Sequence, residues 1–177
     1  RCSAIIKFNE QNILIDTSPD LRQQLLQNKI KSINKVFFTH LHADQTHGIN
    51  DLRTFFLINN KQIPIFADKK TGKYLYKTFK YCFKSSFNYP SILKINHLKE
   101  KHTFKNKNKK ILIESFNVKH GKIDSLCYIV NNKLAYASDI NLFYKKDLIK
   151  LIGLKYLIID CLRYKEHSSH FNLNQVL

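Results

Sequence analysis

The sequence predicts an α+β fold, a layered sandwich in which strands come in antiparallel runs and helices interrupt them. Three observations carry that prediction. Two strand-like runs, residues 125–130 and 133–138, flank Asn131-Asn132, a dipeptide suited to a tight hairpin turn. Helical patterns break up the strands without following each one, which disfavours a regular βαβ wind. The 177 residues are 44% apolar, which excludes intrinsic disorder and makes one domain the default. A chain of this size buries about two-thirds of its unfolded surface, so folding requires neither disulfides nor a structural metal.

The elements follow in order. Residues 2–8 alternate apolar and polar, residues 9–12 form a turn, and residues 12–16 return as a second strand. Ser18-Pro19-Asp20 opens a helix: Ser18 can cap it, Pro19 suits its first position, and Leu21, Leu25 and Leu26 form its apolar stripe. Residues 36–38 are a short buried strand ending in Thr39-His40, and residues 49–58 read as a helix. A strand at 63–67 leads into a basic helix over 70–81. Residues 83–110 are the least regular part, with Tyr89-Pro90 and a Lys/Asn run at 105–110. Strands at 111–118, 125–130 and 133–138 are followed by an amphipathic helix at 141–152 and a buried strand at 154–160. Residues 1–177 are expected to form a single domain, with 69–110 as an irregular, flap-like segment within it.

No apolar stretch approaches the roughly 18 residues that cross a bilayer, so no membrane partner is expected. Cys2, Cys82, Cys127 and Cys161 make no C-x-x-C pair. They read as reduced, mostly packed thiols of a cytoplasmic protein. The net charge is +17, yet 26 of the 30 basic residues are Lys and only four are Arg. Lys, Asn and Ile, all favoured by A/T-rich codons, make up 64 of the 177 residues. The excess therefore has two readings: a solvated lysine surface, or a preference for an anionic partner such as nucleic acid. Within residues 70–89, Lys73, Tyr74, Tyr76, Lys77, Phe79 and Lys80 interleave base and ring. That pattern can stack bases and track phosphates. It also fits an amphipathic helix with buried rings.

The histidines carry the chemistry. His40-Leu41-His42-Ala43-Asp44-Gln45-Thr46-His47-Gly48 places four ligand-type side chains in one loop after a buried strand. Imidazole with carboxylate suits Zn, Mn or Fe, and burying such groups unpaired would be costly. His120 ends the strand at 111–118, Asp139 follows the one at 133–138, and His167 and His170 follow the one ending at Asp160. A sheet could gather these strand ends into one site.

His40-x-His42-x-Asp44, then His120, then Tyr136-Ala137-Ser138-Asp139 resembles the metallo-β-lactamase-fold hydrolases. Residues 13–19, the run Thr46-His47-Gly48-Ile49-Asn50-Asp51-Leu52-Arg53, and His170-Phe171-Asn172-Leu173 resemble its phosphodiesterase branch. That branch holds the phosphoribosyl cyclic phosphate phosphodiesterases and, more distantly, the tRNA 3′-processing endonucleases. The resemblance implies a four-layer αβ/βα sandwich with one or two divalent ions, Zn or Mn, at one edge. It implies that His40, His42 and His120 hold the first metal, that Asp139 bridges to a second, and that Asp44 is a ligand of the second. Asp16 would orient the site from behind, or simply form a strand-end turn. Where the family motif has His after the Asp, this chain has Gln45, a poor ligand. His47 is then either a replacement ligand or a supporting residue. The family's further metal-binding His past the His170 position and its Gly/Ser-rich first strand are not in the sequence, so the chain is expected to be cut at both ends.

The implied reaction is cleavage of a small cyclic or nucleotide-like phosphodiester by a metal-bound hydroxide. Asp44 would orient the attacking oxygen, and His170, with His167 as rival, would protonate the leaving one. The alternatives are an RNA-processing nuclease of the same fold and a non-catalytic, decayed metal-binding domain.

Overall fold

The computed structural model describes residues 2–177. It is α+β, and the chain divides into two units, Arg1–Leu98 and Lys99–Leu177, each built on its own five-stranded sheet.

In the first unit β1 (Ala4–Phe8) and β2 (Gln11–Ile15) form the expected hairpin, with Asn9 at φ 53° in its turn. The sheet continues in parallel through β3 (Lys35–Phe37), β4 (Ile63–Ala67) and β5 (Leu93–His97), in the order β1-β2-β3-β4-β5. Parallel strands covered on both faces read as continuous apolar runs, and Ile13, Leu14 and Ile15 are all buried. Leu14, Val36 and Ile65 pack with Leu21 and Leu25 of α1 (Leu21–Gln27) and with Leu75 of α4 (Lys69–Thr78). Phe37 stacks on Phe66 at 4.6 Å between ring centroids.

Four local expectations change in this unit. The helix after Pro19 begins at Leu21, and Ser18 does not cap it. Its hydroxyl is spent on Gln24 Oε1 at 3.4 Å, and its carbonyl accepts from Leu21 N. The helical pattern at 49–58 is a 3₁₀ turn, Ile49–Leu52, running into α3 (Arg53–Asn59), which ends at Asn60 in the left-handed region. The basic helix breaks at Phe79, a buried ring, into α4 and the short α5 (Lys80–Phe83). Asp68 caps α4 by accepting from Thr71 N at 2.7 Å. The segment read as irregular contains β5 here and two strand stretches in the next unit. Strong periodicity is missing because β5 buries only Leu93 outright.

The second unit orders its sheet β10-β9-β8-β7-β6, from β6 (Lys101–Asn106), β7 (Lys109–His120), β8 (Ile123–Val130), β9 (Leu134–Ala137) and β10 (Tyr156–Ile159). All pairs are antiparallel except β9 with β10. Asn131 and Asn132 both take positive φ, as a hairpin turn of this kind requires. Phe116, Val118, Cys127, Ile129, Ala135 and Ala137 form its core. Burial pushes the Cys127 thiol up to about 12.

Two expectations fail here. The amphipathic stretch is a 3₁₀ helix over Lys145–Leu151 only, because Asn141 and Leu142 are held extended by backbone bonds to Lys119 at 2.8 and 2.9 Å. Lys150 in that helix lies within 3.5 Å of Glu100, Glu114 and Asp147 carboxylates. Partial burial favours its neutral form, but the hydrogen bonds its ammonium donates to Glu100 and Asp147 outweigh this and raise its pKa. The strand near 154–160 is not buried. It is the sheet's edge, with Tyr156, Leu157 and Ile158 exposed by 64%, 47% and 50%. Among the described residues no helix is long and apolar enough to cross a membrane.

Candidate metal and catalytic site

In the first unit the histidine loop leaves β3 and enters α2 (Ala43–Thr46). The turn is braced from below. Asp16, buried and at φ 59°, accepts from Thr39 N and from Thr39 Oγ1, both at 2.8 Å. Thr39 Oγ1 lies 3.1 Å from His40 Nδ1, and His40 Nε2 lies 2.9 Å from His42 Nδ1. The strand-end carboxylate therefore reaches the first histidine through one hydroxyl and turns its Nε2 toward the second. Two imidazole nitrogens facing at that separation suit a shared cation, since metal–nitrogen bonds near 2.1 Å set ligands about 3 Å apart. Asp16 thus combines a strand-end turn at positive φ with bonds from Thr39.

The brace extends to the far end of the loop. Thr17 N donates to Gln45 O at 2.7 Å, Thr17 Oγ1 to Thr46 O at 3.0 Å, and Gly48 N to Thr17 O at 2.8 Å. A Cβ on Gly48 would lie 2.0 Å from the Ser18 carbonyl oxygen, so only glycine permits this approach. We expect Gly48→Ala to cost roughly 3 kcal/mol or more by overpacking against backbone. Urea unfolding followed by tryptophan-independent circular dichroism measures it.

Asp44 is exposed and accepts from Gln45 Nε2 at 3.3 Å. His47, the C-cap of α2, is also exposed; its Nε2 lies 3.1 Å from Tyr74 Oη, and its ring meets Phe79 edge-on at 5.5 Å. Gln45 is buried beneath the loop.

In the second unit β7 ends at His120, which is 4% exposed. Its Nδ1 is 2.7 Å from the Ser169 carbonyl oxygen. A carbonyl can only accept, so Nδ1 carries the proton and the lone pair lies on Nε2, the tautomer of a metal ligand. Gly121, at φ +59°, lets the loop at 168–169 close on this strand end, where a Cβ would meet Ser169 Cβ at 2.8 Å. Asp139, Asp160 and His170 bring ligand atoms within 4.8 Å of one another. His170 Nδ1 is 2.5 Å from Asp160 Oδ2 and 3.7 Å from Asp139 Oδ1. His120 and His170 meet edge-on at 4.8 Å between ring centroids.

The His167 Nδ1 accepts from Ser169 N at 3.3 Å, and Ser169 Oγ is 3.2 Å away. Partial burial, then the charges of Arg163 and His170, hold its pKa below the usual imidazole range. A smaller fraction of its rings is therefore protonated at neutral pH than for an ordinary histidine.

The sequence reading missed Asp160 and the Thr39 relay. Asp160 carried a signal, an acid directly after the apolar Leu157-Ile158-Ile159 run, but its partner lies ten residues on in an irregular loop. Thr39 carried none, because its role depends on Asp16 crossing from β2. The donor set, imidazoles with buried carboxylates, fits a borderline divalent cation such as those this fold binds.

A β-lactamase superfamily domain model matches residues 11–177. A crystal structure of a diphosphatase from the PhnP family superposes with a TM-score of 0.85 at 28% identity, covering 98% of this chain and 65% of that one. An octanoyltransferase of Porphyromonas gingivalis is 30% identical over 176 residues, 98% of this chain and 35% of the relative. A ribonuclease Z of Prochlorococcus marinus is 28% identical over 125 residues, 68% of this chain and 39% of the relative. The chain thus spans well under half the length of these curated relatives. Human tRNase Z, short form, shares the fold, with a TM-score of 0.69 at 16% identity. With the match running from β2 to Leu177 and carrying every histidine of the motif, the chain belongs to the β-lactamase superfamily.

Proposed function

We propose that this chain is a metal-dependent phosphodiesterase for a small cyclic or nucleotide-like phosphodiester, working in the cytoplasm. The observation that carries the reading is the pairing of His170 Nδ1 with Asp160 at 2.5 Å. A carboxylate accepting from Nδ1 fixes the ring and aims the other nitrogen outward, the arrangement of a positioned general acid. His40, His42 and His120 would hold one ion, Zn or Mn. Asp139 would bridge to a second, with Asp44 and, more weakly, His47 beside it. A divalent ion there supplies an activated water and neutralises phosphoryl charge.

The chain's own residues do the rest. Asp44 accepts a hydrogen bond from the attacking water and orients it. His170 Nε2 gives its proton to the leaving oxygen, and Asp160 holds the ring through that transfer. His167, less often protonated at neutral pH and bonded to Ser169, is assigned to shaping the loop.

The test is hydrolysis of bis-p-nitrophenyl phosphate by metal-free protein on addition of Mn or Zn. We expect metal-dependent release of p-nitrophenolate and no opening of a chromogenic β-lactam. Metal uptake without hydrolysis would leave a non-catalytic metal-binding domain instead. The ribonuclease Z relative favours a second reading, RNA processing. Inhibition of the diester assay by tRNA at micromolar concentration would support it over a small-molecule substrate.

A further inference from the structure

The segment between Asp68 and Glu100 contains no acidic residue and eight lysines. The fold shows where they go. Along α4, Lys69, Lys73 and Lys77 recur every four residues and are exposed, so they form one row that Lys80 extends. Like charges at this spacing repel and destabilise the helix. No acidic side chain lies within the segment to offset them. Codon bias can explain Lys in place of Arg, but it does not explain a row of one sign in a 31-residue stretch, 69–99, with no Asp or Glu.

The apolar and aromatic side chains of the same segment divide. Leu75, Phe79 and Cys82 are buried and anchor α4 and α5 to the first unit's core. Tyr76, Tyr81, Tyr89 and Phe87 stay out, with exposures of 44%, 41%, 40% and 93%. Tyr76 sits three residues after Lys73 and four before Lys80, on the lysine side of the helix.

Phe87 stands at the tip of a closed turn. Ser86 and Tyr89 exchange backbone hydrogen bonds at 3.0 and 2.9 Å, and Asn88 takes φ 60°. The turn is tied down. The Arg53 guanidinium lies 3.9 Å from the centre of the Tyr89 ring, Tyr81 meets Tyr89 edge-on at 6.1 Å, and the Tyr81 hydroxyl donates to Asn50 Oδ1. A ring held out in water by a rigid turn is pre-ordered for a flat partner.

We propose that this face of the first unit, α4 with the turn at 86–89, binds single-stranded nucleic acid. The lysine row would track phosphates, and Tyr76 and Phe87 would stack bases. The match is in charge and in shape: a polyanion whose subunits each carry a flat ring. The inference stands on this surface alone and does not depend on the hydrolytic reading above.

The experiment is fluorescence anisotropy of a 5′-fluorescein-labelled twelve-residue oligouridylate titrated with the whole chain, in EDTA. With about four phosphates engaged, affinity should fall roughly 50-fold between 50 and 200 mM salt. Lys73→Glu with Lys77→Glu should weaken binding by more than about 10-fold at low salt, and Phe87→Ala by about 5-fold or more, with Phe87→Trp restoring it. Lys107→Glu with Lys109→Glu, in the other lysine run, should leave it unchanged. Circular dichroism monitors folding, and the Gln versions of the lysine variants decide the matter if the Glu versions unfold. Equal weakening by the control pair, or no effect of Phe87→Ala, reduces the binding to bulk charge and overturns the proposal. So does tighter binding to phosphatidylserine vesicles than to the oligonucleotide. Because EDTA removes metal-dependent cleavage, failure here leaves the phosphodiesterase assay unaffected, and failure of that assay leaves this one standing.

Discussion

Replacing His170 by Ala should lower kcat for diester hydrolysis by about 10² to 10⁴, the range for loss of a positioned general acid. That corresponds to roughly 2.7–5.5 kcal/mol of barrier. Metal content should stay at the wild-type level, because the role assigned to this ring is proton donation. Asp160→Asn separates the two halves of the pair. An amide keeps the shape and replaces the carboxylate acceptor that holds His170 across the 2.5 Å contact. It should cost less, about 10–100-fold, as partners behind a functional histidine usually do. Substrates with a good leaving group, such as p-nitrophenolate, need little protonation. The deficit of His170→Ala should therefore shrink on activated diesters and grow on unactivated ones. A metal-depleted His170→Ala protein would reassign the residue to the metal, and an undiminished rate would remove it from the reaction.

The second large effect concerns the metal. His40→Ala and His42→Ala should each abolish tight binding, since losing a ligand costs more than the roughly 10–100-fold lost with an outer partner. Asp16→Asn should fall in that milder range, because Asp16 reaches His40 only through Thr39, across contacts of 2.8 and 3.1 Å. Metal analysis after dialysis reads all three. In the unsubstituted chain we expect one ion held firmly and a second only loosely. Asp44 and Asp139 with at most His47 make a poor three-coordinate set, and His47 already has Tyr74 Oη at 3.1 Å. A retained stoichiometry near two would show that the second site is complete. Unchanged metal affinity in His40→Ala would dismiss the loop as a metal site.

Much of this was written in the local sequence. The hairpin of β1 and β2, the Asn131-Asn132 turn and the strands β3 and β4 were legible because alternation, turn chemistry and short apolar runs are local properties. Their parallel pairing was not, since antiparallel runs were expected and the direction of pairing depends on the helices that cross over between them. The histidine loop was legible too, since four ligand-type residues after a buried strand have few other uses. Where the reading slipped, distant residues decided. Ser18 looks like a helix cap, but its carbonyl accepts from Leu21 N and its hydroxyl is spent on Gln24, and the helix starts at Leu21. Residues 141–152 have a helix's periodicity, but Lys119 of a neighbouring strand pairs with Asn141 and Leu142 and delays the turn. The run at 154–160 is as apolar as a central strand, but its position in the sheet order makes it an edge.

The same division holds for the site. The sequence by itself determined which side chains could bind a metal and which strand ends would carry them, because residue type and strand periodicity are both local. Only the tertiary structure decided how each is held: Asp16 behind Thr39 and His40, Asp160 behind His170, the Ser169 carbonyl behind His120. Those partners lie from ten to forty-nine residues apart, except Thr39 beside His40. The tautomer and direction of an imidazole depend on the one atom facing its other nitrogen, and no local pattern encodes which atom that is.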